Sequence, residues 1–423
     1  MFATLIAIVV AALTVLFSLN ENFKEDPLTT NTLTIVPILL LFSLVFIWSM
    51  AFYTFQRAEQ NLTPRVLQLV KQDRRLKFYA AGIIFASLLA FFINLNPTVL
   101  EHFTYIPHFT TVPWIALWLI LIGIAFDFTY LTIKRIYDYI SPFSVLTFFT
   151  QAAKQSVSND REIDLCNWIE SLSEISVKSL NRFSSSLCVQ SVNEMRDVLR
   201  MFLDSSKSIA HETQDKQSLS EGITDKVSYT LFYFLDRFSL IYHKALEKQV
   251  EPVCSSIVTT LGKVVVDAAN CDLSLVSHPV RFIGEFCRDA EEQKMKEVPI
   301  KGSITLVEAS RAIINSVDYT YQDLIDPFTS VITQLNETAK ESFRLNKNQN
   351  IKMLIQPLVD LRTIFQSEKL ASHRDTPAIQ AGINNVLAEW ETLETVLRTM
   401  PPIPMAAAPQ NPPAIQDSLE SQA

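Results

Sequence analysis

Four long apolar runs in the first third of the chain constrain its fold most strongly. They cover residues 2–19, 35–55, 78–95 and 112–133. The first three contain no Asp, Glu, Lys or Arg, and the fourth contains only Asp127. A helix rises about 1.5 Å per residue and the hydrocarbon core of a bilayer is about 30 Å thick, so each run can cross a membrane as a helix. Residues 1–133 are therefore predicted to form a four-helix transmembrane domain.

The distribution of basic residues predicts the orientation of these helices. Linker 56–77 holds six Lys and Arg side chains, whereas linker 20–34 holds one and linker 96–111 holds none. Basic loops stay on the cytoplasmic side, which places linker 56–77 and both termini in the cytoplasm. A cleaved signal peptide is the alternative for the first run, but the run lacks the preceding basic segment and the small-residue cleavage motif of such peptides.

The remainder of the chain predicts a cytoplasmic helical domain at residues 134–399. Apolar residues recur three and four positions apart, for example at Leu231, Phe234 and Phe238, which is the period of a helix with one buried face. Glycine is scarce, with 7 in 423 residues. Because glycine supplies the positive φ angles of tight hairpins and the close approach of phosphate-binding loops, its scarcity disfavours β-rich and nucleotide-binding folds. The predicted fold class is all-α.

Regularly spaced prolines suggest how this domain is organised. Pro279, Pro327 and Pro377 each follow an apolar helical stretch and a polar turn, and they lie 48 and 50 residues apart. This spacing is compatible with an irregular repeat of helical hairpins, but it also arises by coincidence in a helical bundle that has no repeat, and both interpretations stay open. Residues 400–423 are rich in proline and are predicted to be a disordered tail.

One short phrase resembles a known family. Ser316-Val317, followed by Leu-Ile-Asp-Pro-Phe-Thr at residues 324–329, is similar to the phrase S-P-G-I-N-D-P-F-T in a family of predicted bacterial membrane proteins without assigned function. The Gly and Asn of that phrase are absent here. The family looks like paired N-terminal spans followed by a cytosolic region. The resemblance implies a bacterial origin only; together with the four predicted spans, a bacterial origin gives the inner membrane as the expected location.

Asp127 is the one ionisable side chain inside an apolar run. Such groups are costly in lipid and usually face the interior of a helix bundle, so one interpretation is a cation or proton site that includes Asn94 and Thr129. The other is a structural carboxylate near the cytoplasmic boundary that pairs with a nearby cation, since Lys134 follows about 10 Å further along the helix.

Two further sets of residues have predicted contacts with lipid or with other helices. The basic side chains before the third run are expected to contact anionic headgroups, or only to orient the chain; they are Lys71, Arg74, Arg75 and Lys77. Gly82, Ala86 and Ala90 share one helix face, and small residues four positions apart allow close approach of a second helix.

The sequence contains no recognisable catalytic or metal-binding motif. P-loop, G-x-S-x-G, H-E-x-x-H and EF-hand patterns are absent, and the five cysteines form no C-x-x-C pair, so free thiols and no cofactor or metal are expected. The net charge of −8 disfavours nucleic acid as a partner, because phosphate binding needs clustered cations. An enzyme is therefore not the expected class.

Two functions remain compatible with these features. The first is a membrane-anchored helical domain that binds a protein partner, or a second copy of itself, at the cytoplasmic face. The alternative is an oligomeric channel or transporter subunit that uses Asp127 in the fourth span and has a cytoplasmic regulatory domain.

Overall fold

A computed structural model describes residues 2–18, 27–95, 112–213, 220–317, 323–347, 349–370 and 372–399. Every regular element in these ranges is helical, which confirms the all-α prediction. The α-helices are α1 (Phe2–Ser18), α2 (Pro27–Asn61), α3 (Val66–Gln72), α4 (Arg74–Leu95), α5 (Val112–Ile140), α6 (Pro142–Ser158), α7 (Glu162–Asn181), α8 (Ser185–Thr213), α9 (Ser220–Glu247), α10 (Glu251–Cys271), α11 (Ser277–Glu292), α12 (Glu297–Ser316), α13 (Ile325–Leu345), α14 (Ile351–Phe365) and α15 (Thr376–Thr399). The predicted tail, residues 400–423, lies outside the described residues.

The four apolar runs fall within α1, α2, α4 and α5. Helix α5 forms the centre of this group, because both α1 and α4 pack along it and α2 packs against α4. Helix α1 runs antiparallel to α5, with Ala3 beside Asp127 and Ala7 beside Gly123. Helix α5 continues to Ile140, seven residues beyond the apolar run, and ends at Ser141, where Pro142 starts α6.

Length and hydropathy do not confirm four spanning helices in the described residues. Two segments there are long and apolar enough to cross a membrane, Ala116–Ile140 and Glu251–Cys271. The second is α10, whose apolar side chains lie in the core of the C-terminal domain, and a helix buried on most sides meets the same criteria without crossing a membrane. Helix α1 has 17 residues, whereas a span typically needs about 20.

Helices α6 to α15 form a stack of five helical hairpins. The first helices of successive hairpins pack on one another, and so do the second helices. Successive hairpins run in the same direction, as the contacts between α7 and α9 show. Lys226 of α9 pairs with Glu162 of α7, and further along both helices Tyr233 of α9 donates a hydrogen bond to the carbonyl of Cys166 in α7. A single hydrophobic core runs through the stack. The three spaced prolines occupy the first turns of α11, α13 and α15, the second helices of three successive hairpins.

Glycine is not used at the turns of this stack. Four residues with left-handed backbone end a helix instead, namely Asp160 (φ 53°), Phe183 (φ 58°), Gln249 (φ 55°) and Lys294 (φ 63°), and no described glycine has a positive φ. At α7 the amide of Ser184 donates to the carbonyl of Ser179 at 3.0 Å, the bond of a Schellman cap. Left-handed backbone costs a residue with a side chain about 1–2 kcal/mol.

Several of the described glycines lie instead where helices approach closely. A Cβ on Gly123 would lie 2.5 Å from the Cβ of Ala7, and a Cβ on Gly82 would lie 2.7 Å from the ring of Phe128. Gly302 of α12 likewise lies against the thiol of Cys287 in α11. The scarcity of glycine is therefore compatible with tight helix packing, because glycine is present at these few positions of close approach.

Candidate functional site

The first polar cluster joins the N-terminal helices to one another. Asp73 precedes α4 and accepts the amide protons of Arg75 at 2.9 Å and Leu76 at 3.4 Å, so it caps that helix. The same carboxylate accepts bonds from Arg135 Nε and the Tyr139 hydroxyl of α5, both at 2.7 Å. Burial opposes the charge, but these hydrogen bonds outweigh it and hold the pKa of Asp73 below its usual value. Asp73 therefore holds the start of α4 on the end of α5.

A second contact joins the linker before α3 to the hairpin stack. The Arg65 guanidinium donates to the Asn167 side-chain carbonyl at 2.9 Å and to the Ser171 hydroxyl at 3.2 Å, both on α7. Leu62 and Val66, on either side of Arg65, are buried in the core of the stack. The linker between α2 and α4 is thus part of the C-terminal domain as well as a connection between apolar helices.

Asp127 has a structural role at the start of α1. Its two carboxylate oxygens accept the amide protons of Ala3 at 3.1 Å and Thr4 at 3.0 Å, and the Thr4 hydroxyl also donates to it. The first amides of a helix lack partners within the helix, and a negative charge there is favoured by the helix dipole. Asp127 therefore fixes α1 on α5 through the amides of Ala3 and Thr4, whereas the structural interpretation from the sequence predicts pairing with a nearby cation.

The other predicted polar partners of Asp127 do not form a polar path with it in the described residues. Thr129 donates to the carbonyl of Ala125 in its own helix at 2.8 Å. The side chain of Asn94 lies outside the described part of the structure.

The predicted lipid-contact and packing residues have clear positions. The four basic side chains, Lys71, Arg74, Arg75 and Lys77, are all exposed. Gly82 lies against Phe128 of α5, and Ala86 is buried with Trp118, Leu121 and Ile122. The side chain of Ala90 lies outside the described residues. The small-residue face of α4 is therefore the face that contacts α5.

A groove of about 660 Å³ lies between α12 and α14, with the C-terminal half of α13 as its floor. Its apolar walls include Ile300 and Ile304 of α12 and Met353 of α14, which are 60%, 43% and 75% exposed. Asn350 starts α14 by accepting the amide proton of Lys352 at 3.0 Å. Helix α14 has only 15 residues and contains Pro357, which also lines the groove.

The lining of the groove combines apolar and polar side chains. Its lining contains apolar side chains, hydroxyl and amide groups, the two cations Lys296 and Lys352, and the carboxylates Glu291 and Asp360, but neither histidine nor cysteine. The described residues contain no group of three or more His, Cys, Asp or Glu side chains that could hold a metal ion. Apolar walls with a few polar groups are typical of a surface that receives a peptide or helix.

Two of these features were missed by sequence reasoning. Asp73 directly before the helix start at Arg74 is an N-cap signal, and it could have been found. The groove residues carry no local signal, because Ile300 and Met353 look like core positions until the packing of α12 and α14 is known.

Comparisons with known proteins add little. No protein-family model and no curated protein matches the chain. Among solved structures, it is similar to a "circular tandem repeat protein with novel repeat topology and enhanced subunit contact surfaces" at 13% identity, covering 88% of this chain and 99% of that chain, with a TM-score of 0.27. A similarity at this TM-score supports no argument about fold or function.

Proposed function

We propose that the protein is a membrane-anchored helical-repeat scaffold of the bacterial inner membrane. In this proposal α1, α2, α4 and α5 cross the bilayer with both chain termini in the cytoplasm. The hairpin stack then presents the groove between α12 and α14 to a protein partner.

The observation that carries the proposal is the amount of exposed apolar surface on the N-terminal helices. On α2 and α4, Phe42, Phe85 and Phe92 are 72%, 68% and 62% exposed. Soluble proteins rarely expose large contiguous apolar patches, whereas lipid tails accommodate them without cost. Towards the stack the exposed side chains include Tyr53 and Tyr130, as expected where a span reaches the headgroups.

The position of Asp127 does not favour the alternative of a channel or transporter. Its carboxylate is bonded to the first amides of α1, so it is not a free ligand for a passing ion. We therefore restrict the proposal to anchoring and partner binding.

Membrane insertion is tested by alkaline carbonate extraction and by cysteine accessibility. The full chain is expected to stay in the membrane pellet. An impermeant maleimide should label Asn22→Cys from outside intact spheroplasts, and Gln60→Cys only after the membrane is opened. Release of the chain by carbonate, or the reverse labelling pattern, would contradict the topology.

Partner binding is tested by affinity purification of the full chain in mild detergent. Ile300→Glu combined with Met353→Glu places two charges in the groove, whereas Ile163→Glu, at a side chain that is 80% exposed on α7, is the matched control. A partner, or a second copy, that copurifies with wild type and control but is lost with the groove variant supports the proposal. Equal recovery with all three proteins would overturn the assignment of the groove.

A further inference from the structure

Because successive hairpins of the stack run in the same direction, the connections between helices lie at two opposite ends of the stack. Connections between hairpins, at residues 182–184, 248–250, 293–296, 346–347 and 349–350, all lie at one end. The described residues of the connections within hairpins lie at the other end. Helix α6 starts at the first end, at Pro142 directly after α5. We call the first end the basic end, for the charges described next.

The two ends of the stack differ strongly in charge. Connections at the basic end contain no Asp or Glu, and their five cations are all exposed; they are Arg182, Lys248, Lys294, Lys296 and Lys347. The described connections at the opposite end, at residues 159–161, 272–276, 323–324, 366–370 and 372–375, contain five Asp and Glu and three Lys and Arg. A domain of net negative charge thus concentrates its connection cations at one end.

Helix dipoles do not account for this asymmetry. Dipoles favour cations at helix C-termini and anions at N-termini, but each end of the stack contains both kinds of terminus. Acidic side chains do flank the basic connections inside the helices. Glu251 accepts the amide proton of Glu297 at 2.9 Å, and Glu247 pairs with Lys244 at 2.7 Å. The connections themselves, which project furthest, carry only cations.

The basic end also exposes apolar side chains. Phe183 is 86% exposed, and Leu345, at the end of α13, is 47% exposed. Helix α7 runs antiparallel to α6, with the rings of Phe149 and Trp168 5.6 Å apart, so the turn that carries Phe183 lies at the same end of the first hairpin as the start of α6. This end of the first hairpin is the end that follows directly on α5.

We propose that the basic end of the stack binds the anionic surface of the bilayer that holds α1, α2, α4 and α5. This inference rests on the membrane anchoring proposed above. Lys71, Arg74, Arg75 and Lys77, beside the anchor, are exposed as well, so both the anchor and the basic end of the stack carry exposed cations. Attraction to anionic headgroups acts within a Debye length, about 8–10 Å. Exposed aromatic and aliphatic side chains beside Lys and Arg are typical of surfaces that enter the headgroup layer.

The test uses the full chain in nanodiscs and lipid photocrosslinking. The photoreactive residue benzoylphenylalanine is placed at Phe183 in the first hairpin, at Leu345 in the fourth, or at Ile163. Ile163 is 80% exposed at the opposite end of α7 from Phe183, which makes it the matched control. Nanodiscs of phosphatidylcholine alone are compared with nanodiscs that also contain phosphatidylglycerol.

The proposal predicts lipid adducts at positions 183 and 345 but not at 163. The adduct at 345 should increase with phosphatidylglycerol and fall at least about threefold with Lys294→Glu and Lys347→Glu combined. Adducts at 183 alone would overturn the proposal, because they would report only the nearby anchor. Adducts to protein at 345 would also overturn it and point to an acidic protein partner. A chain that resists carbonate but gives no lipid adduct at 345 refutes this inference and leaves membrane anchoring intact.

Discussion

The carboxylate of Asp73 accepts a hydrogen bond from Nε of Arg135 at 2.7 Å, across 62 residues of sequence. Because Asp73 also caps α4, one side chain links the start of one apolar helix to the end of another. The guanidinium of Arg135 in turn lies 4.8 Å from the ring centroid of Phe148 in α6. The cluster therefore couples the N-terminal helices to the hairpin stack.

Asp73→Asn should destabilise this cluster by about 1–3 kcal/mol, because charged hydrogen bonds are replaced by weaker neutral ones at a buried site. The measurement is unfolding of the full chain in detergent. Asp138→Asn is the matched control, since its exposed carboxylate lies 3.9 Å from the same Arg135. Equal losses in the two variants would contradict the role given to Asp73.

The same carboxylate predicts a pH dependence. Its pKa is lowered in the folded chain, so its contribution to stability is present above the unfolded pKa of about 4 and is lost as pH falls through the folded value. Between neutral and acidic pH the wild type should therefore lose more stability than Asp73→Asn. Parallel curves for the two proteins would show that the carboxylate is not responsible.

Gly123→Leu should displace α1 from α5, because a Cβ there would lie 2.5 Å from Ala7 and 3.1 Å from the carbonyl oxygen of Ala3. Overpacking of this kind costs about 1–3 kcal/mol. Disulfide crosslinking between Ala7→Cys and Ile124→Cys in membranes measures the displacement. Gly382→Ala, where the nearest side-chain atom would be 3.8 Å away, should instead stabilise the stack by about 0.5–1 kcal/mol, because alanine favours a helix interior over glycine.

Replacing a left-handed residue with glycine should stabilise the stack. Lys294→Gly and Gln249→Gly are each expected to raise the unfolding free energy by about 1 kcal/mol, because glycine adopts positive φ without steric cost. Arg182→Gly provides the control, since its φ of −107° needs no glycine. If thermal unfolding shows that Arg182→Gly stabilises the chain as much as Lys294→Gly and Gln249→Gly, the left-handed backbone at Lys294 and Gln249 is not the source of the gain.

The buried cysteines should resist alkylation in the folded chain. Burial raises the pKa of the Cys188, Cys254 and Cys287 thiols to about 12, so almost no thiolate forms at pH 8. Iodoacetamide should modify these residues only after unfolding, while Cys271, which is half-buried, reacts first. Mass spectrometry of the alkylated peptides makes the comparison, and fast labelling of Cys254 without denaturant would refute it.

The helical content and the regular spacing of the helix starts could be predicted from the sequence, because both depend on local patterns of residues. Apolar periodicity and Pro279, Pro327 and Pro377 mark where helices run and begin. The contacts of Asp127 and Arg65 could not be predicted, since they depend on which helices become neighbours. The turns at Phe183 and Lys294 were also beyond prediction, because no glycine marks their left-handed backbone.

The hairpin stack also has a consequence for biosynthesis. Each hairpin packs mainly on those before and after it, so a newly made hairpin finds the surface of its preceding neighbour already translated. The nascent chain can thus add one hairpin at a time as it leaves the ribosome. Full-length protein is not needed before the first hairpins fold, which limits the time that their apolar faces are open to aggregation.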